Sequence, residues 1–121
     1  MILVDTSVWI DFFRQRDTLI VEKLSSLLED GEVVGLSAIF GELLQGTRDE
    51  NEERIILEFW ESLPKIDEAD LFIKAGKLSR ELKLNTKGVG LLDSYILAAC
   101  KRNNIALWSL DKKLVEVYDS L

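Results

Sequence analysis

Four apolar residues, Met1 to Val4, run directly into a carboxylate at Asp5. A continuous apolar run this short predicts a strand covered on both faces, as in the middle of a parallel sheet. Thr6 or Ser7 is placed to cap a following helix that carries Val8, Trp9, Phe12 and Phe13. Asp5 therefore stands where an inner strand ends and a helix begins. In open α/β sheets that edge is where ligands bind. A carboxylate drawn out of water there needs a partner, and a metal ion is one.

Downstream, the chain alternates in the same way. Ile20, Leu24, Leu27 and Leu28 repeat at helical spacing, and Asp30-Gly31 stops that helix. Residues 32–36 predict a short strand, with Ser37 capping a helix over 38–45 that ends at Gly46. Asp49 opens a helix whose first turn is acidic, and Pro64, the only proline, closes it. Lys65-Ile66 reads as a brief strand. Asp67 is expected to cap a long helix from Glu68 to about Leu84, followed by a polar loop over 85–90. Residues 91–102 form an apolar helix and 105–108 a buried strand, while the tail from Lys112 fits either a short helix or a strand. Strands that alternate with helices predict an α/β fold: a central parallel sheet of four to five short strands with helices on both faces. With 121 residues and no linker, the chain reads as a single domain over 1–121.

Placed on this map, Asp5 and Asp111 each follow a strand, and Glu42 lies about one turn into the helix after the second strand. Asp93 lies in the first turn of the 91–102 helix. If the strands are parallel, Asp5, Glu42 and Asp111 fall at one edge of the sheet, and Asp93 joins them if its helix starts on that edge. Glu42 and Asp93 are flanked by apolar neighbours, unlike acids in runs such as Asp49 to Glu53. Converging carboxylates repel one another unless a cation intervenes. Hard divalent ions such as Mg²⁺ or Mn²⁺ take oxygen ligands and leave room for substrate phosphate, and a pair of them serves phosphodiester cleavage. With 22 acidic residues, a solvated rim of helix caps is the competing reading, and it explains Asp49 and Asp67 better.

The chain contains no His, which excludes His-based acid–base catalysis and His-ligated zinc. Its single Cys100 excludes an intrachain disulfide and fits a reducing cytosol, so a cytoplasmic location is expected. No segment reads as a signal peptide or a membrane span, so no membrane association is expected. The net charge of −7 argues against nonspecific coating of nucleic acid, but not against a nuclease with an acidic, cation-neutralised centre.

Taken together, Ile2 to Ser7, the Ser37-x-x-x-x-Glu42-Leu43-x-x-Gly46 stretch, Asp93 to Ala99 and Leu107 to Asp111 resemble the PIN-domain family, specifically its small VapC-like toxins of toxin–antitoxin pairs. Order, spacing and length agree over nearly the whole chain. The resemblance implies a Mg²⁺- or Mn²⁺-dependent endoribonuclease whose catalytic and metal-binding acids are Asp5, Glu42, Asp93 and Asp111. Thr6 and Ser109 match the hydroxyl positions that brace them. It also implies a homodimer and a small antitoxin partner that blocks the site. The chain departs from the family around Ser109 and Leu110, where Thr followed by Asn or Asp is common, so the last acid rests on Asp111 alone.

Arg14, Arg48 and Lys87 are the basic residues nearest this edge and are candidates for contact with RNA phosphates, against the plainer reading of solvated charges. Trp9, Phe12 and Phe13 read as core, with a contact to a partner as the alternative. Two other functions fit the residues: a housekeeping RNA-processing nuclease of the same family, and a non-catalytic interaction module whose acids bind a cation. A phosphoacceptor receiver domain would need a second acid beside Asp5, and a haloacid-dehalogenase-type phosphatase would need Asp where Ser7 stands.

Overall fold

Three parallel strands make the sheet in this computed structural model, which describes residues 1–121. In chain order the elements are β1 (Ile2–Val4), α1 (Thr6–Arg14), α2 (Thr18–Glu29), β2 (Val33–Val34), α3 (Ser37–Gln45) and α4 (Glu50–Ser62). Then come α5 (Leu71–Leu82), a 3₁₀ turn (Leu84–Lys87), α6 (Leu91–Asn103), β3 (Ala106–Trp108) and α7 (Lys112–Ser120). The strand order is β2-β1-β3. Leu3 pairs with Val34 on one side and with Leu107 on the other. The chain leaves β1 for one neighbour and later returns to the other. β1 is thus the point where the winding reverses, and the crevice at its carboxyl end is the natural ligand site. Asp5 is the first residue beyond that end.

The α/β class with a parallel sheet flanked by helices stands as the sequence predicts. The sheet is narrower than the expected four to five strands. Beyond β2 a single parallel bridge joins Gly35 and Lys65, through Gly35 N–H to the Pro64 carbonyl at 2.7 Å and Ile66 N–H to the Gly35 carbonyl at 3.1 Å. Pro64 has no N–H to extend the ladder, so the fourth strand stays a stub. The tail is the helix α7, so it adds no strand. Gly35 permits a close approach at the bridge: a Cβ there would stand 3.1 Å from the Trp60 ring, tighter than ordinary contact.

The core is one cluster of 27 buried apolar residues. Trp9 sits in it at 1% exposure, edge-on to Phe12, Phe40 and Phe59 and stacked on Phe13. The core reading holds for Trp9, while Phe12 and Phe13 are half-buried. In α6, seven consecutive residues from Ser94 to Cys100 are buried, so the helix is enclosed on all sides, as its lack of a polar face predicts. Burial and the Asp5 charge push the Cys100 thiol up to about 12, leaving it an inert thiol.

Several expected helix caps differ. Asp49 does cap α4, accepting from Glu52 N–H at 2.9 Å, and Asp17, which the sequence reading did not single out, caps α2 by accepting from Leu19 N–H at 3.0 Å. Thr6, Ser7 and Ser37 do not cap, because each lies inside its helix and spends its hydroxyl on a distant carboxylate or, for Ser7, on Asp5. Asp67 does not open a long helix. It accepts from Ala69 N–H in a local turn, and Asp70 takes a left-handed conformation at φ 57°. Glu68 turns away to accept from the Ser37 N–H at 2.9 Å, the Ser37 hydroxyl and the Tyr95 hydroxyl. The helix therefore begins only at Leu71, and the backbone enters the left-handed region again at Lys83, φ 54°.

Candidate active site

Asp5 is one of two buried polar residues, at 7% exposure. Its backbone N–H donates to the Trp108 carbonyl at 2.9 Å, which extends the β1–β3 pairing and fixes the residue between two strand ends. Oδ2 accepts from the Ser109 hydroxyl at 2.6 Å and from the Ser7 hydroxyl at 3.3 Å. Both hydroxyls in turn accept from the backbone of the β3–α7 connection: Ser7 from Leu110 N–H at 3.1 Å, Ser109 from Asp111 N–H at 3.0 Å. The start of the chain and its 109–111 segment are thereby tied through one carboxylate.

Glu42 reaches the same place from α3, where its Oε1 accepts from the Thr6 hydroxyl at 3.0 Å. Asp93 lies in the first turn of α6 and is half-buried. Its carboxyl is held above the ordinary range by desolvation first, then by the charges of Asp5, Asp111 and Glu42, with a hydrogen bond from the Gly90 backbone partly offsetting them. All four acids from distant segments therefore share one electrostatic neighbourhood. Asp111 is exposed, and its Oδ1 caps α7 by accepting from Lys113 N–H at 3.0 Å and Leu114 N–H at 3.3 Å.

Asp5, Glu42 and Asp111 each have one oxygen committed to the fold and one with no hydrogen bond in the protein. No three acidic or sulfur side chains close into a metal cage. An open set of hard oxygen donors fits Mg²⁺ or Mn²⁺, which hold one or two carboxylates and keep waters and substrate oxygens for the rest of the shell. It does not fit zinc or another ion that wants His or Cys.

The basic candidates divide. Arg14 and Arg48 line a groove of about 630 Å³ between α1, α3 and α4, with Glu42 in its wall. Arg48 is already held by Glu52, at 2.9 Å and 3.1 Å to Oε2. Lys87, exposed on the 3₁₀ turn, is outside that groove and makes no ion pair. Sequence reasoning missed Ser7 as a brace of Asp5, although its place two residues on is where an Asp accepts a local hydroxyl. It also missed Arg16, which lines the groove, and Glu68, whose partners lie 31 and 27 residues away.

The PIN domain profile matches residues 2–120 of the chain. Ribonuclease VapC1 of Methanocaldococcus jannaschii is 32% identical over 117 residues, covering 95% of this chain and 79% of that protein. The crystal structure of FitAcB from Neisseria gonorrhoeae matches with a TM-score of 0.66 at 23% identity, covering 98% of this chain and 94% of the other. That likeness is one of fold.

Proposed function

The chain belongs to the PIN-domain family, and from that premise we propose that it is a Mg²⁺- or Mn²⁺-dependent endoribonuclease acting as the toxin of a toxin–antitoxin pair. The observation that carries the reading is the gathering of Asp5, Glu42, Asp93 and Asp111 at the carboxyl end of β1, where Asp93 feels the other three charges. A relative of known name, Ribonuclease VapC1, supports the RNA substrate. When bound, the divalent cation lowers the pKa of an attacking water and stabilises the leaving oxygen of a phosphodiester.

The protein's part is to hold the donors in place. Thr6 orients Glu42. Ser7 and Ser109 together satisfy Asp5 Oδ2, leaving Oδ1 as the uncommitted oxygen. The α7 backbone does the same for Asp111. Arg14, Arg48 and Lys87 are assigned to substrate phosphates. Leu91, Leu92 and Leu110 are exposed beside Asp93 and Asp111, an apolar rim suited to a small antitoxin that covers the site. The resemblance to VapC-like toxins supports a homodimer. A reducing cytoplasm suits the lone Cys100 thiol, and no helix is long and apolar enough to cross a membrane.

The test is cleavage of single-stranded RNA by the purified protein with Mg²⁺ or Mn²⁺. Activity is expected to vanish with chelator and in Asp5→Asn and Asp93→Asn variants that still fold. Full activity in either variant, or in chelator, refutes the reading. Coexpression with the product of a small adjacent gene is expected to suppress cleavage, and the absence of any such gene favours a housekeeping nuclease.

A further inference from the structure

We propose that the groove between α1, α3 and α4 seats a single strand of RNA beside Glu42, and that Glu52 limits how tightly it is held by occupying Arg48. The inference rests on the nuclease reading for its choice of ligand. Its grounds are in the groove itself. Ile10 and Phe13 contribute apolar wall, and Arg14, Arg16 and Arg48 contribute charge. These are three of the six arginines in a chain of net charge −7. Gathering half the guanidinium groups of an acidic protein along one groove complements a polyanion. The Phe13 ring is stacked on Trp9 and edge-on to Phe12 and Phe59, so it serves as apolar wall and the guanidinium groups carry the contact with the strand. Glu42 joins this groove to the acids, so a strand lying in it passes the site.

The three arginines are not equally available. Arg14 makes no ion pair, and Arg16 stands 3.7 Å from Asp11, a loose exposed contact. Arg48 is gripped by Glu52 through Nε and Nη2. Glu52 also accepts from the Arg48 backbone N–H at 2.8 Å. The Glu52 carboxyl is held below the ordinary range by that hydrogen bonding with Arg48, and the charge of Arg14 adds to it. A phosphate that binds Arg48 must displace Glu52 and lie near its charge. Glutamine at 52 keeps an acceptor for the Arg48 backbone and removes the charge, so it relieves this competition without uncapping α4.

The experiment measures anisotropy of a short fluorescein-labelled single-stranded RNA against Asp93→Asn protein in Mg²⁺, over a series of salt concentrations. Added Glu52→Gln is expected to tighten binding roughly threefold, since an exposed ion pair competes only modestly. Added Arg14→Ala is expected to weaken binding and to lower the slope of log affinity against log salt by about 0.7, the value for one phosphate contact on a single strand. Circular dichroism melts verify that each variant folds. Unchanged RNA binding in either folded variant overturns the proposal, as does weaker binding in Glu52→Gln. An Arg14-dependent interaction with an acidic peptide, with RNA binding untouched, also overturns it and assigns the groove to a protein. Wild-type cleavage is scored separately. Absent cleavage alongside Arg14-dependent RNA binding defeats the nuclease reading and leaves the groove assignment standing.

Discussion

Asp93 pays for its position: burial and three neighbouring carboxylates all disfavour its charge. Its folded pKa lies above the unfolded value, so the ionised form is penalised only in the fold. The penalty is absent in acid, below the ordinary carboxylate range. It grows as pH rises from the unfolded pKa to the folded one and is complete above the folded pKa. In chelator, Asp93→Asn is therefore expected to melt higher than wild type at neutral pH, and the gap is expected to close as the pH falls below the usual aspartate range. Thermal melts across pH check this, and a destabilised variant at neutral pH contradicts it. Thr6→Val makes a second case. Removing the hydroxyl that holds Glu42 is expected to lower metal-dependent cleavage about 10- to 100-fold, the usual effect of losing a partner behind a ligand. Thr6→Ser retains the donor and is expected to recover most of it.

Among the elements, α7 separates two roles of one residue. Asp111→Ala removes the acceptor of two α7 N–H groups and is expected to cost about 1 kcal/mol in denaturant unfolding. Asp111→Asn keeps an acceptor there and is expected to cost little, while both variants lose cleavage if the uncommitted oxygen serves the cation. At the end of α5, Lys83 holds a left-handed conformation that a side chain resists, so Lys83→Gly is expected to stabilise by about 0.5 kcal/mol. These helix ends also show what was legible beforehand. The helices up to α6 were located beforehand while the tail stayed open between helix and strand, and the acids stood out because Glu42 and Asp93 interrupt apolar faces. Asp49 was readable as a cap because a cap is a local bond. Ser37 and Asp67 were misread because their segments answer to Glu68, which joins α3 and α6 across 31 and 27 residues. The sheet was overcounted because a brief apolar pair such as Lys65-Ile66 looks the same whether it makes a ladder or a single bridge.

The whole molecule responds to anything that binds the folded site alone. Mg²⁺ is expected to raise the melting temperature of wild type, by about 2.7 kcal/mol of added stability at a hundredfold excess over the dissociation constant, and to leave Asp5→Asn unmoved. Calorimetry or a dye melt reads this without any substrate, and an equal shift in both proteins rules out a site at these acids. The same acids come from both ends of the sequence: the Ser109 hydroxyl meets a carboxylate 104 residues away. A ribosome making this chain exposes Asp5 early and the 109–111 segment about a hundred residues later. Until the later segment has emerged, Asp5 has no Ser109 hydroxyl to hold it and Asp111 is missing from its neighbourhood, so the candidate centre is assembled only late in synthesis.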